Sequence, residues 1–222
     1  MKKETFIIAE LSANHNGDIK VAIETIRAAK RAGADAIKLQ TYTADTLTID
    51  CKNDYFKINH GTAWDGEYLY DLYNRAYTPW DWHSELFRVA NEEGIICFSS
   101  PFDNSAVDLL EELKTPIYKI ASFEIQDIPL ISYAASKMKP IILSTGIAEV
   151  SDIELAIETC RKVGNNDITI LKCTSAYPAD PSDANLLTIP DIKTRFGVKA
   201  GLSDHTMGIE GPVVAVVLGA TV

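Results

Sequence analysis

Cysteine is scarce in this sequence, and its spacing excludes the classes of protein that depend on it. The 222 residues include four cysteines, with no C-x-x-C pair and no zinc-finger spacing, at positions 51, 97, 160 and 173. A disulfide scaffold and a structural zinc module are therefore excluded. Cys97 and Cys173 lie inside apolar segments that predict strands, so we expect reduced thiols and a cytoplasmic protein.

Long apolar runs and a basic excess are also missing. The longest apolar stretch, 213–222, is half of the about 20 residues that cross a bilayer, and Met1 is followed by Lys2, Lys3 and Glu4 rather than by a signal peptide. With 21 basic and 31 acidic side chains the net charge is −10, which argues against the basic face of a nucleic-acid binder. We therefore expect neither a membrane nor a nucleic acid as partner, and an anionic substrate would have to meet a few well-placed lysines.

What the chain does contain is an alternation of short β-rich runs and helical patterns. With 46% hydrophobic residues and no linker or repeat, it predicts one globular domain over 1–222. Strands are predicted over 6–10, 36–40, 95–99, 117–121, 141–144, 168–173 and 199–203. Helices are predicted over 19–32, 80–93, 105–114, 128–137, 150–163, 187–195 and 211–219.

This alternation leaves two folds of the α/β class, an open doubly wound sheet and a closed (β/α)8 barrel. Lys38 shares its strand face with Ala36 and Gln40, and the central strand of an open sheet rarely buries a lysine, whereas a barrel tolerates one near the carboxyl end of a strand. No G-x-G-x-x-G turn follows the first strand, which disfavours a dinucleotide-binding fold. The sequence favours the TIM barrel, with 219–222 opening an eighth strand, and we expect the chain to be a truncated piece of that barrel.

Polar side chains gather where the predicted strands end. They carry carboxylate, amine, hydroxyl and imidazole groups, at Glu10, Lys38, Ser99, Ser100, Lys119, Ser144, Thr145, Lys172, Thr174, Ser203, Asp204 and His205. Closing the barrel would bring these groups to one rim, where lysines, hydroxyls and backbone N–H groups suit a phosphate. Glu10 and His205 suit either a divalent metal or general acid–base chemistry.

Each of these groups also has a purely structural interpretation. The lysines can be strand-end side chains that reach out to water, His205 a hydrogen-bonded loop histidine, and Glu10 a loop cap. His15 is typical of a turn residue, and the aromatic stretch from Trp64 to Trp82 is typical of core and lid packing or, alternatively, of sugar stacking. The residues alone leave these alternatives open.

Taken together, seven segments resemble the sialic acid synthase family, whose members condense phosphoenolpyruvate with an amino sugar. The segments follow the order of the family: ELSANHNG from Glu10, KLQTYT from Lys38, SSPFD from Ser99, YKIASFEI from Tyr118, STG from Ser144, KCTSAYP from Lys172 and GLSDHT from Gly201. Within the family, the pseudaminic acid branch is the most similar, through WDGEYLYDLY from Trp64, AYTPWDWH from Ala76 and the CTS triplet.

The resemblance implies a role for each matching position. Lys38 and Lys119 would pair with the carboxylate and phosphate of phosphoenolpyruvate. Glu10 is our own candidate for a third catalytic residue, which orients or deprotonates the water or a sugar hydroxyl. The substrate-binding positions would be Ser100, Ser122, Ser144, Tyr177 and Ser203. His205 would be one of two histidines that hold Mn²⁺ or Mg²⁺. The second histidine and a C-terminal antifreeze-like domain, which reaches into the partner subunit of a homodimer, would lie beyond this chain.

The resemblance also implies a reaction. A cytoplasmic, metal-dependent transferase would make pseudaminic acid and phosphate from phosphoenolpyruvate and 2,4-diacetamido-2,4,6-trideoxy-altrose, by C–O cleavage. N-acetylneuraminate and legionaminate synthases are the alternatives within the family. Outside it, a class I aldolase would form a Schiff base at Lys119 or Lys172, and a fragment could act as a non-catalytic sugar-phosphate binding module.

Overall fold

The computed structural model describes residues 5–59, 61 and 64–222. The first four residues, on which the expected lack of a signal peptide rests, lie outside this part. The chain has two compact units: the amino-terminal unit, Ala9–Thr115, and the carboxyl-terminal unit, Pro116–Val222 together with the residues up to Ile8. The prediction of one domain over 1–222 stays a prediction. None of the helices in the described part has the length and apolar character of a membrane span.

Strands and helices alternate along the described residues. The strands are β1 (Ile8–Glu10), β2 (Ala36–Thr41), β3 (Ile96–Pro101), β4 (Tyr118–Ile120), β5 (Ile141–Ser144), β6 (Ile168–Cys173) and β7 (Lys199–Ser203). The helices are α1 (Ile19–Arg31), α2 (Ala44–Leu47), α3 (Leu69–Ala76), α4 (Trp82–Glu93), α5 (Asn104–Glu112), α6 (Ile128–Ser136), α7 (Val150–Lys162), α8 (Thr188–Phe196) and α9 (Glu210–Val217). Every predicted strand and helix is confirmed, with ends that differ by at most two residues. The sequence does not predict α2 and α3, because a four-residue helix and a tyrosine-rich one have little helical signal.

In the amino-terminal unit, the register of β2 and β3 decides which side chains share a face. The two strands are parallel, and Lys38 lies opposite Phe98. Because strand side chains alternate, Lys38, Gln40 and Ser100 point to the same face, called here the inner face. The other, outer face is apolar along most of its length and packs against α1 and α4, through Ile37, Leu39 and Cys97.

In the carboxyl-terminal unit, β4, β5, β6 and β7 pair in parallel in chain order. The pairs that fix the register are Lys119 with Ile142, Ser144 with Leu171, and Cys173 with Ser203. Alternation along each strand therefore puts Lys119, Ser144, Cys173 and Ser203 on one face, the inner face of this unit. Lys172 points to the opposite face.

The last residues occupy the position of an eighth strand in the carboxyl-terminal unit. The Thr221 amide donates to the Ala200 carbonyl, and the Leu202 amide donates to the Val222 carbonyl, both at 2.9 Å. On the other side, the Phe6 amide donates to the Thr221 carbonyl at 2.9 Å. The prediction that 219–222 open an eighth strand is confirmed.

Candidate active site

Lys38 supplies the first candidate charge, on the inner face of β2. Its side chain is 8% exposed and forms an ion pair with Glu10 at the end of β1, whose side chain is 44% exposed. An amine buried this deeply does not reach out to water, so the strand-end interpretation is wrong for Lys38. The half-exposed carboxylate neutralises the buried amine and stays accessible to a ligand or a proton.

Ser100 lies on the same inner face, near the end of β3. Its hydroxyl is buried and has no hydrogen-bond partner among the described residues. A buried hydroxyl without a partner costs about 1–3 kcal/mol, which a polar ligand group can recover. The adjacent Ser99 points to the outer face, where its Oγ lies 2.7 Å from Thr41 Oγ1. Of the two serines, Ser100 is therefore the one that offers a donor to a ligand.

Lys119 is a buried cation of the carboxyl-terminal unit, and its charge acts on Glu124 in the short turn that follows β4. Burial raises the pKa of Glu124 to about 7, although the positive charge of Lys119 opposes the rise. The Oε2 oxygen of Glu124 is buried and lacks a partner among the described residues. Glu124 can therefore hold or release a proton near neutral pH. The sequence prediction missed it, although it lies inside the motif YKIASFEI.

Two serine hydroxyls of this unit differ in what they already bind. Ser144 ends β5, and its hydroxyl is buried without a partner among the described residues. The amide of Gly146 donates to Ser122 Oγ at 3.0 Å, and the Ser122 hydroxyl in turn hydrogen-bonds to Cys173. A Cβ at position 146 would lie 2.9 Å from Ser122 Oγ and closer still to Ser175 Oγ. Only glycine therefore allows the backbone at position 146 to lie this close to Ser122 and Ser175.

His205 follows β7, and a backbone carbonyl fixes its ring. His205 Nδ1 donates to the Thr174 carbonyl at 2.9 Å, and the ring of Tyr177 lies 4.3 Å away between centroids. Because a carbonyl oxygen only accepts, Nδ1 carries a hydrogen, and in the neutral ring Nε2 keeps its lone pair. The hydrogen bond with Cys173 raises the pKa of His205. Tyr177 itself is 70% exposed on the loop after β6.

This arrangement fits a divalent cation at Nε2 of His205. Metal-binding histidines commonly donate their other ring N–H to a backbone carbonyl, which fixes the tautomer and the orientation of the ring. Within the described residues, no three or more His, Cys, Asp or Glu side chains form a metal-binding group. His205 would therefore supply one ligand of a larger set.

Cys173 is a candidate that the sequence prediction missed. Burial alone would raise its pKa, but hydrogen bonds with His205, Ser122 and Ser175 outweigh burial and lower it to about 6. Its Sγ lies 3.9 Å from His205 Nδ1 and 3.8 Å from Ser175 Oγ. Both Cys97 and Cys173 are free, buried thiols inside strands, as predicted; burial raises the pKa of Cys97, whereas polar neighbours lower that of Cys173. The reason is the register, which puts Cys173 on the polar inner face.

Lys172 does not join these groups. Its amine donates to the Cys173 carbonyl at 2.8 Å and to Thr174 Oγ1 at 3.1 Å, so it fastens the loop that follows β6. Thr145 is occupied in the same way, because its hydroxyl donates to the Leu171 carbonyl at 2.9 Å. The expectation of a third lysine on the inner face is therefore wrong. That the inner faces of the two units meet at one rim stays a prediction.

His15 and Trp82 have structural roles. The Gly17 amide donates to His15 Nδ1 at 3.1 Å, and His15 Nε2 lies 3.2 Å from Thr78 Oγ1. The buried imidazole also meets the Trp82 ring edge-on, at 5.3 Å between centroids. The turn interpretation is confirmed for His15, and the packing interpretation is confirmed for Trp82.

Comparison with known proteins decides the family. The sequence profile of the NeuB family matches residues 25–222. This chain belongs to the NeuB family. It is similar to the pseudaminic acid synthase of Helicobacter pylori, with 54% identity over 215 residues, which are 97% of this chain and 63% of that protein. The pseudaminic acid synthase of Campylobacter jejuni is 49% identical over 220 residues, 99% of this chain and 64% of that protein. The chain thus spans less than two thirds of the length of these relatives.

Solved structures of similar proteins confirm the fold of this NeuB chain. The N-acetylneuraminic acid (sialic acid) synthetase of Leptospira borgpetersenii, crystallised in complex with citrate, superposes with a TM-score of 0.87 at 33% identity, covering 98% of this chain and 71% of that one. The spore coat polysaccharide biosynthesis protein SpsE of Bacillus subtilis gives a TM-score of 0.84 at 35% identity, covering 100% and 59%. The α/β class, the (β/α)8 TIM barrel and the resemblance to sialic acid synthases are confirmed.

Proposed function

We propose that this NeuB chain is the catalytic barrel of a transferase that condenses phosphoenolpyruvate with an open-chain amino sugar. The proposed acceptor is 2,4-diacetamido-2,4,6-trideoxy-altrose, and the products are pseudaminic acid and inorganic phosphate, formed by C–O cleavage. Identity of 54% to a protein named pseudaminic acid synthase supports this branch of the family. Identity of 39% to the N,N'-diacetyllegionaminic acid synthase of Legionella pneumophila makes the legionaminate branch the weaker alternative.

One observation carries the proposal. The buried side-chain atoms that lack a hydrogen-bond partner among the described residues are Ser100 Oγ, Ser144 Oγ and Glu124 Oε2. Both hydroxyls belong to positions that the sequence resemblance assigns to substrate binding. Each orphaned group costs the folded protein about 1–3 kcal/mol, and a ligand that carries oxygen acceptors removes the cost of a hydroxyl. Unpaired groups at these positions are what a site preorganised for an anion requires.

The charged groups suit a small, multiply charged anion. Lys38 and Lys119 are buried cations in a chain whose net charge is −10, and in our proposal they pair with the carboxylate and the phosphate of phosphoenolpyruvate. Ser122 and Ser203 add hydrogen-bond donors. Glu10 is the ion-pair partner of Lys38. An anion that binds Lys38 therefore displaces the Glu10 carboxylate, which then becomes available for proton transfer.

A divalent metal, Mn²⁺ or Mg²⁺, is proposed as cofactor, with His205 as one of its ligands through Nε2. When bound, such an ion acts as a Lewis acid on the aldehyde of the acceptor sugar. Tyr177 lies against the His205 ring and is exposed, which supports a place for it in the acceptor pocket.

The proposed chemistry uses one proton acceptor and one proton donor. Carbon 3 of phosphoenolpyruvate attacks the aldehyde carbon, Glu124 protonates the aldehyde oxygen, and positive charge develops at carbon 2. Glu10 orients a water molecule and accepts its proton as the oxygen adds to carbon 2. The hemiketal phosphate then collapses to the ketone as its hydroxyl proton passes to the phosphate, which leaves with the bridging oxygen. The two lysines neutralise the phosphate throughout.

Product analysis of the full-length protein tests this function. We expect pseudaminic acid and phosphate from phosphoenolpyruvate with the altrose acceptor, and no product with N-acetylmannosamine. Turnover of N-acetylmannosamine instead would move the protein to the N-acetylneuraminate branch. Phosphoenolpyruvate labelled with ¹⁸O at the bridging position should deliver the label to inorganic phosphate, and label kept in the sugar acid would refute C–O cleavage.

A second candidate, a class I aldolase, has one observation in its favour. Burial lowers the pKa of Lys172, a property that lysines forming Schiff bases share. Borohydride treatment in the presence of pyruvate would trap an adduct at Lys172 or Lys119 if this mechanism operates. Absence of the adduct together with turnover of phosphoenolpyruvate would exclude it. Metal-independent binding of phosphoenolpyruvate without any turnover would instead indicate a non-catalytic binding module.

A homodimer in the cytoplasm is proposed for the full-length protein. Large apolar side chains are exposed on loops that follow strands of the carboxyl-terminal unit, and this supports a covering partner: Phe123, Ile147, Tyr177, Met207 and Ile209. The four cysteines are all free, which supports a reducing compartment. Sedimentation of the full-length protein tests the oligomeric state.

A further inference from the structure

The outer faces of β2 and β3 change character towards the carboxyl ends of the strands. Nearer the amino ends of the strands, Ile37, Leu39 and Cys97 form part of the buried apolar cluster with α1 and α4. At the ends, the same faces carry the hydroxyls of Thr41 and Ser99, both fully buried. These hydroxyls point away from the inner face, so the proposed chemistry does not use them.

His83, in the first turn of α4, connects the two hydroxyls. Ser99 Oγ lies 2.7 Å from Thr41 Oγ1, which lies 2.9 Å from His83 Nε2, and His83 Nδ1 lies 3.2 Å from the Pro79 carbonyl oxygen. Because the carbonyl only accepts, Nδ1 carries the hydrogen, Nε2 accepts from Thr41, and Thr41 accepts from Ser99. Burial lowers the pKa of His83, which keeps the ring in the neutral form that this chain of bonds needs.

The hydrogen bonds among His83, Thr41 and Ser99 are better explained by a role in positioning the strand ends than by a role in stabilising the fold. His83, Thr41 and Ser99 are all fully buried. Apolar side chains of similar volume would fill the same space, and replacing buried polar groups in this way is often neutral or stabilising. What the hydrogen bonds add is a fixed connection between the ends of β2 and β3 and the start of α4, beyond the backbone ladder that joins the two strands.

This connection lies next to the inner-face groups on both strands. On β3, Ser99 directly precedes Ser100, whose hydroxyl has no partner and so takes its direction from the backbone. On β2, Thr41 lies three residues beyond Lys38 and connects Ser99 to His83. A displacement of about 1 Å at a reacting site costs about 10²-fold in rate, so the position of these strand ends matters for the reaction.

We propose that His83 is a positioning residue, which acts through Thr41 and Ser99 to fix Lys38 and Ser100. The inference rests on the proposed function, in which Lys38 and Ser100 bind phosphoenolpyruvate. His83 touches neither substrate in this proposal. Its loss should therefore weaken the use of phosphoenolpyruvate and leave the use of the acceptor sugar unchanged.

The test compares three variants of the full-length protein. His83→Leu removes every hydrogen bond of the ring, and His83→Gln keeps an amide that can accept from Thr41. Leu86→Ala is the matched control, because Leu86 is fully buried on the same helix, belongs to the apolar cluster and makes no side-chain hydrogen bond. We expect His83→Leu to raise KM for phosphoenolpyruvate by about tenfold or more, with KM for the sugar within twofold of wild type. His83→Gln should restore most of the loss, and Leu86→Ala should lower Tm without the change in KM.

The inference is overturned if Leu86→Ala gives the same rise in KM, if both KM values rise together, or if His83→Gln is no better than His83→Leu. Should His83→Leu fail to fold, Thr41→Val, which keeps the volume of the side chain, must show the same selective rise in KM. The Kd for phosphoenolpyruvate, measured by calorimetry without acceptor, keeps the two proposals apart. A wild-type protein that makes no product defeats the proposed function, whereas an unchanged Kd in His83→Leu defeats only the positioning role.

Discussion

Replacing Ser144 by alanine should stabilise the ligand-free protein, against the usual effect of a substitution in a core. Ser144 Oγ is fully buried and has no hydrogen-bond partner among the described residues. The substitution removes a group whose burial costs about 1–3 kcal/mol, and it leaves a gap of only one oxygen atom. For a chain of this size, about 1 kcal/mol corresponds to about 2–4 °C in Tm. We expect Ser144→Ala to raise Tm by at least this amount in the absence of substrate.

In the complex with phosphoenolpyruvate, the effect of the same substitution has the opposite sign. A hydrogen bond to a charged oxygen contributes about 1.5–3 kcal/mol, which corresponds to about 10- to 150-fold in Kd. Calorimetric titration of the full-length protein with phosphoenolpyruvate, without acceptor, measures this loss directly. Thermal unfolding with and without saturating phosphoenolpyruvate should therefore show a gain in Tm for the free variant and a smaller ligand-induced shift.

Thr145→Val is the matched control for Ser144→Ala. The neighbouring hydroxyl has a partner, since it donates to the Leu171 carbonyl at 2.9 Å. Its removal should lower Tm by about 2–4 °C, for a lost bond of about 1 kcal/mol, and leave the affinity for phosphoenolpyruvate unchanged. A lower Tm and normal affinity for Ser144→Ala would refute the reasoning, because Ser144 would then be a structural hydroxyl like its neighbour.

Three further substitutions test other groups of the site. The pKa of Glu124 is raised from 4.5 to about 7, so the folded protein keeps a proton that the unfolded chain releases, and stability falls as pH rises through this range. Glu124→Gln should flatten the change in Tm between about pH 4.5 and 7, and an unchanged slope would contradict the assignment. Gly146→Ala places a Cβ within 2.9 Å of Ser122 Oγ and should therefore lower kcat/KM by about 10²-fold. Wild-type kinetics would show that the segments around Gly146, Ser122 and Ser175 move apart without cost. Glu10→Gln leaves the charge of Lys38 in place. We therefore expect kcat to fall by about 10²- to 10⁴-fold, with no rise in KM for phosphoenolpyruvate. A rise in KM with normal kcat would instead assign Glu10 to substrate binding.

The fold could be predicted from the sequence because its signals are local. Apolar periodicity of about 3.6 residues marks helices such as α1, and short β-rich runs mark the strands between them. Even the eighth strand position was readable, because 219–222 follow the last helix at the usual interval. The helix α3 could not be predicted, since LYDLYNRA is only eight residues long and contains tyrosine, aspartate and asparagine, which have a lower helical preference.

The chemical state of the site residues could not be predicted, because it depends on neighbours that are distant in the sequence. Glu124 has a pKa of about 7 because the fold buries it, although Lys119 opposes the shift. Lys38 is neutralised by Glu10, 28 residues away, and neither residue signals the other in its own segment. A motif therefore locates such groups, and the folded surroundings decide how each one titrates.

The adjacent pair Lys172 and Cys173 shows what a motif leaves undecided. An amine at a strand end looks more reactive than a thiol in an apolar run, and the sequence prediction treated the two residues accordingly. The register of β6 with β7 reverses the assignment, since Cys173 lies opposite Ser203 on the inner face and Lys172 turns to the loop behind it. Because strand side chains alternate, an error of one residue in register exchanges the two roles completely. The candidate site is therefore defined by strand register as much as by residue type, and this is why the variants proposed above pair neighbours on one strand or one helix.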